Sequence, residues 1–154
     1  STEVVSAFKD IKDSVRFFDP EAVIDGIGVY EMVTGAIELI AGVKRDPVFG
    51  PVILLGSGGI LVEMLKDSVV RVAPITKSDA YAMISELKTF PLLEGARGHP
   101  KSDIDAVADI LMRLSNFALA TDLLSELDIN PLMVLPDGEG ARAADSLIAI
   151  HVGQ

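Results

Sequence analysis

The 154-residue sequence has no cysteine and no tryptophan, and only two histidines, His99 and His151. Without cysteine there is no disulfide, no thiolate zinc site and no cysteine nucleophile. Two histidines are too few for a multi-histidine metal centre. Basic residues are also scarce: 13 Lys and Arg against 23 Asp and Glu give a formal net charge of −10. That sign disfavours a nucleic-acid backbone as partner, which is held through basic patches, and equally an anionic membrane surface. No apolar run approaches the ~20 residues that span a bilayer, and the first residues show no signal or transit pattern. The expectation is a cytoplasmic protein with no nucleic-acid or membrane partner. What remains is globular in composition, 49% hydrophobic and 23% charged. A chain of this length suits one domain and can bury about two thirds of its unfolded surface.

Val4, Phe8, Ile11 and Val15 recur at helical spacing, and Pro20 ends that helix. Residues 27–33 alternate, with Ile27, Val29, Glu31 and Val33 on one side. Residues 36–44 alternate again after Thr34-Gly35, which reads as a β-hairpin. Val52–Leu55 fits a strand buried on both faces, closed by Gly56-Ser57-Gly58-Gly59, and residues 69–73 form another strand before Pro74. Ser78 and Ser102 are placed to cap two helices whose apolar faces are Ala80, Met83, Ile84, Leu87 and Ile104, Val107, Ala108, Leu111, Leu114, Ala118. Residues 91–100 read as irregular. Two further strands flank a turn at Asp137–Gly140. Hairpins mixed with helices, rather than regular βαβ units, predict an α+β fold: a mixed, largely antiparallel sheet with packed helices.

Strand periodicity puts Glu126, Asp128 and Asn130 on one face. A turn symmetric about Gly138 sets Leu132 opposite Asp145 and Asn130 opposite Leu147, making Asn130 and Asp145 diagonal neighbours. A hard cation fits between such oxygens, since Mg²⁺ takes one or two protein ligands and completes its shell with water and phosphate. A solvated polar face ending in an Asn-Pro turn fits the same residues. Gly58 and Gly59 allow backbone N–H groups to approach an anion, but match neither a P-loop nor G-x-G-x-x-G; a tight turn explains them as well. Glu31 stands in an apolar row, where a carboxylate needs a partner. Glu38 and Arg71 are strand charges of the kind that usually face water.

Several blocks together resemble a known family. They are Gly26–Val33, Glu38–Pro47, Phe49-Gly50-Pro51, Gly58-Gly59-Ile60, Glu63, Leu65-Lys66-Asp67, Arg71, Ala73-Pro74, Leu92-Leu93, Gly95, Arg97-Gly98 and Glu126–Leu132. Their order resembles the ATP-grasp domain of NDP-forming acyl-CoA synthetases, the ADP-forming acetyl-CoA synthetase family related to the succinyl-CoA synthetase β subunit. The resemblance implies acyl-CoA + ADP + phosphate ⇌ acid + CoA + ATP through an acyl phosphate and a phosphohistidine, with ATP/ADP and Mg²⁺ as cofactors. It implies adenine contacts from Glu31, Met32, Val33 and Thr34, a nucleotide contact from Glu38, and Mg²⁺ ligation by Asn130 and Asp145. Arg71, with Gly58 and Gly59, is a further candidate, for phosphate or for the phosphohistidine loop.

Residues 1–154 read as the C-terminal lobe of that ATP-grasp domain. The expected partners are its small lobe and CoA-binding domains, with CoA and acyl substrate reached through them. Self-association is a further expectation for a lobe that exposes apolar surface. Two other readings stay open at this point. One is a non-catalytic interaction or acyl-CoA-sensing module, as within an acetyltransferase fusion. The other is a structural domain that shares only packing with the family.

Overall fold

Helix and strand signals resolve into two units in the computed structural model, which describes residues 2–58 and 67–151. One unit extends to Met32 and the other begins at Val33. In the first, α1 (Thr2–Phe18) shows the expected apolar face, yet none of its residues is buried. Val4, Ala7, Phe8 and Ile11 line a hollow of about 280 Å³ together with Ile27–Tyr30. Residues 27–33 form no strand, so the predicted hairpin with 36–44 does not exist. The reason lies in β1 (Ile37–Asp46), whose two edges are already taken by β2 (Gly50–Ser57) and β4 (Leu124–Val134).

The second unit is a six-stranded sheet, antiparallel throughout. β3 (Ser68–Val72), β2, β1 and β4 lie in that order, and β5 (Ala141–Ala143) and β6 (Ser146–Ile150) both pair with β4. Asp46 shapes the β1–β2 hairpin by accepting the N–H groups of Val48 (2.8 Å) and Phe49 (2.9 Å). β2 is buried on one face only, not two: Ile53 and Leu55 enter the core, while Val52 and Leu54 on the other side are half-buried.

Helices cover that core face. α2 (Lys77–Glu86) contributes Ala80, Met83 and Ile84; α4 (Ile104–Ala120) contributes Val107, Ala108, Leu111, Leu114 and Ala118. They close over Leu39, Ala41, Val43, Leu127, Leu132 and Val134. The caps differ from expectation. Thr76 caps α2, its hydroxyl accepting the Asp79 N–H while the Asp79 carboxylate accepts the Thr76 N–H, and Ser78 falls inside the helix; Asp103 caps α4, its carboxylate accepting the Ala106 N–H. Residues 91–100 are not wholly irregular: a short helix α3 (Phe90–Leu93) and a 3₁₀ turn (Ala96–Gly98) lie there. The end of α4 is closed by Arg45, which donates to the carbonyls of Ala118 (2.9 Å), Thr121 (3.1 Å) and Leu124 (2.9 Å). The first two are acceptors at the end of the helix; the third belongs to the start of β4.

β4 runs unbroken through Asn130-Pro131. Leu39 pairs with Leu132 and Ala41 with Ile129, so Ile40 faces two residues, a β-bulge. The bulge flips the parity of β4: Leu127 and Ile129 turn to the core before it, Leu132 and Val134 after it. The returning chain is split into β5 and β6 around Ala144-Asp145.

Candidate functional site

The face of the sheet away from α2 and α4 carries the second row of each strand. On β1 this row is Glu38, Ile40, Gly42 and Lys44; on β2 it is Val52, Leu54 and Gly56; on β4 it is Glu126 and Asp128, followed by Asn130. Gly42 pairs with Asp128. A Cβ at Gly42 would lie 2.7 Å from the Leu127 carbonyl oxygen, so only glycine permits this approach. A groove of about 340 Å³ results. Ile40, Leu54, Gly56 and Ser68 line it together with Ser57 and Asp67, and Glu126, Asp128 and Asn130 complete it.

The β4–β5–β6 register differs from the symmetric one by two residues. Leu132 pairs with Ala143 and Ile129 with Ser146. Asn130 therefore lies level with Asp145, not diagonal to it, and its N–H donates to the Asp145 carbonyl (3.1 Å). The turn explains the shift. Gly138 and Gly140 hold φ of +83° and +84°, and a two-residue slip would move those left-handed positions onto Glu139 and Ala141. Two glycines two apart were the readable signal.

Electrostatics mark the same place. Burial raises the Asp128 carboxyl above its ordinary value, and the charges of Glu126 and then Asp145 add to the shift. The Asp145 carboxylate is thus near enough to act on Asp128. A cation in the groove would relieve this crowding. Among the described residues no group of three or more His, Cys, Asp or Glu could hold a metal by itself, so an ion here would draw its remaining ligands from water or phosphate.

Glu38 lies on the same face, two residues along β1 from Ile40. Its carbonyl accepts the Gly58 N–H (2.8 Å). A Cβ at Gly58 would lie 2.7 Å from the Glu38 carbonyl carbon. The glycine lets β2's end cross Glu38, and its N–H is engaged there rather than offered to an anion. Gly59 and Glu63 lie outside the described residues. Arg71 is not brought to this face. It shares its side of the sheet with Val69, and its guanidinium pairs with Glu86 of α2. Glu31 and Met32 belong to the first unit; Val33 and Thr34 lead into β1 without strand pairing. His99 and His151 are exposed and line none of the groove.

One polar cluster has no signature in residue spacing. Asp67, 6% exposed, accepts from Ser57 Oγ, from the N–H groups of Lys88 (2.8 Å) and Thr89 (3.1 Å), and from Thr89 Oγ1 (3.2 Å). Burial pushes its carboxyl up, but these donors together outweigh burial and hold it below the usual carboxylate range.

A family model described as the ATP-grasp domain matches residues 1–150. The chain is 44% identical over 135 residues to the beta subunit of acetate–CoA ligase (ADP-forming) I of Pyrococcus furiosus, covering 88% of this chain and 58% of that protein. Its structure is similar to that of the dinucleotide-forming acetyl-coenzyme A synthetase 1 of Ca. Korarchaeum cryptofilum in complex with coenzyme A, Ca-AMPCP and HgCl+. There the TM-score is 0.84 at 38% identity, over 97% of this chain and 65% of that one. The same synthetase with coenzyme A and Mg-AMPPCP, its phosphohistidine segment pointing towards the nucleotide binding site, gives a TM-score of 0.74 at 38% identity, over 79% and 56%. The chain thus spans less than two thirds of the length of each of these relatives.

Proposed function

The chain belongs to the ATP-grasp domain family, and on that premise we propose that its open sheet face is the nucleotide–magnesium wall of an ADP-forming acyl-CoA synthetase. The reaction is acyl-CoA + ADP + phosphate ⇌ acid + CoA + ATP, passing through a phosphohistidine that this chain does not supply from His99 or His151. The observation that carries the reading is the level placement of Asn130 and Asp145 beside the acidic groove. Relatives with the named ligase activity, and similar structures holding Mg- or Ca-nucleotide analogues with coenzyme A, support it.

Asn130 and Asp145 would hold Mg²⁺, which when bound would offset the negative charge developing in phosphoryl transfer. Glu38 would meet the nucleotide, fixed by the Gly58 N–H on its own carbonyl. Glu31, Met32, Val33 and Thr34 would contact the base. The small ATP-grasp lobe and CoA-binding domains would complete the cleft and select the acyl group, in the cytoplasm. Among the described residues no helix is long and apolar enough to cross a membrane. Arg71 stays outside this assignment.

The test is ATP formation from acyl-CoA, ADP and phosphate by the full-length protein carrying Asp145→Asn. We expect a loss on the order of 100-fold, the scale of removing one electrostatic stabiliser of the transition state. The Mg²⁺ requirement should rise, with little change in melting temperature. An unchanged rate and Mg²⁺ requirement would overturn the reading.

A further inference from the structure

The turn that returns the chain from β4 to β5 is not held by the sheet alone. Residues 101–103 run beside it: the Asp103 N–H donates to the Leu135 carbonyl (2.9 Å), the Asp137 N–H donates to the Lys101 carbonyl (2.8 Å), and Ser102 bridges to Pro136. Those backbone bonds secure the outgoing arm. The return arm is bonded to the outgoing one, the Leu135 N–H donating to the Gly140 carbonyl (3.0 Å), and a side chain ties it to the helix layer. One carboxylate oxygen of Asp103 accepts the Ala106 N–H (2.9 Å) and so caps α4; the other accepts the N–H groups of Gly138 (3.1 Å) and Gly140 (2.9 Å). Asp103 is only 8% exposed. Bonds from several N–H donors to a charged, buried acceptor are among the stronger ones in a protein.

The consequence falls on Asp145. The symmetric register leaves Asn130 opposite Leu147, whereas the observed one sets it level with Asp145. The glycines allow the observed turn, and Asp103 ties it to the helix layer. We propose that Asp103 is a positioning residue for the Asn130–Asp145 pair. By clasping Gly138 and Gly140 to the start of α4, it fixes the β4–β5 register on which a metal-binding geometry depends. The inference rests on the reading of Asn130 and Asp145 as metal-facing.

The chemistry of the clasp supplies a selective probe. In Asp103→Asn the amide oxygen keeps the cap on Ala106, but the amide nitrogen meets two N–H donors and cannot accept either. Asp103→Ser also retains a good cap residue and is too short to reach the turn. Both variants break the clasp and spare the cap.

The experiment uses ¹⁵N-labelled chain titrated with Mn²⁺ in the presence of ADP, following paramagnetic broadening of the Asn130 and Asp145 amides. Wild type, Asp103→Asn, Asp103→Ser, Asp145→Asn and the core variant Val107→Ala are compared. Both Asp103 variants should need about 10-fold or more extra Mn²⁺ for equal broadening, the effect of losing a residue that orients a metal ligand. Val107→Ala should lower the melting temperature without moving the Mn²⁺ midpoint. If Asp145→Asn abolishes broadening while both Asp103 variants titrate like wild type, the clasp is refuted and the metal reading stands. If Asp145→Asn titrates like wild type, the metal reading itself fails, and the proposal with it.

Discussion

The two faces of the sheet are built from the same strands and differ in almost every other respect. One is sealed by α2 and α4, so that Leu39, Ile53, Leu55 and Leu132 of the strands and Leu111 of α4 are all fully buried or nearly so. Among the described residues of its unit, no helix lies over the other. It mixes half-exposed apolar residues such as Val70 and Val72 with Glu38, Glu126 and Asp128. Alternation therefore assigns residues to faces, while the neighbouring layer decides what each face is for. Charges on the sealed side act as structural ties: Arg45 closes α4, and Arg71 pairs with Glu86. On the open side, the charges of Glu126 and Asp145 act on Asp128, while Lys44 stands opposite Glu126 on the neighbouring strand.

Substitutions should separate the faces by which assay they disturb. The largest stability effect belongs to the sealed face. Leu111→Ala should cost about 2–5 kcal/mol through lost burial and a residual cavity, read by chemical denaturation. Asp67→Asn comes next, at about 1–3 kcal/mol for a buried acceptor set broken at neutral pH. Because its folded-state carboxyl is depressed, this contribution is present above the ordinary value of 3.8 and is lost as pH falls through the lowered value. The gap between variant and wild type should therefore close in acid.

Asp128→Asn should have the opposite sign and a smaller size. The raised folded value means that the folded state favours the neutral acid, so stability is lost as pH rises through that value. Replacing the charge should stabilise the protein at neutral pH by less than about 1 kcal/mol, with no gain in acid. The smallest effect is expected of Arg71→Ala. Its pairing with Glu86 is an exposed surface contact worth about 0–1 kcal/mol. Its place on the helix face predicts unchanged Mg²⁺ requirement and synthetase rate in the full-length protein; a large loss of turnover would put Arg71 back in the site.

Much of the fold was legible because its signals are local. The spacing of Val107, Ala108, Leu111, Leu114 and Ala118 marks α4, and the alternation of 36–44 marks β1. The Thr76-x-x-Asp79 box was also there to be read in preference to Ser78. What was not legible depends on partners distant in sequence. Residues 27–33 alternate like a strand, but no edge of β1 is open to them. Ser57, Asp67 and Thr89 meet only because β2, β3 and the α2–α3 junction converge. Arg71 alternates with Val70 and Val72 in the sequence, and nothing local says which of those sides the helices will cover. Asn130 and Asp145 could be paired from turn and parity, while their level register needed the Gly138 and Gly140 conformations and the clasp from Asp103.

The proposed function puts metal and nucleotide on the open face. Crystals of the chain grown with ADP and Mn²⁺, with data collected at the manganese absorption edge, test it directly. An anomalous peak is expected between the Asn130 and Asp145 side chains, beside Asp128 and away from α2 and α4. A peak on the helix-covered side near Arg71 and Glu86, or full occupancy of manganese elsewhere with none at Asn130 and Asp145, would contradict it.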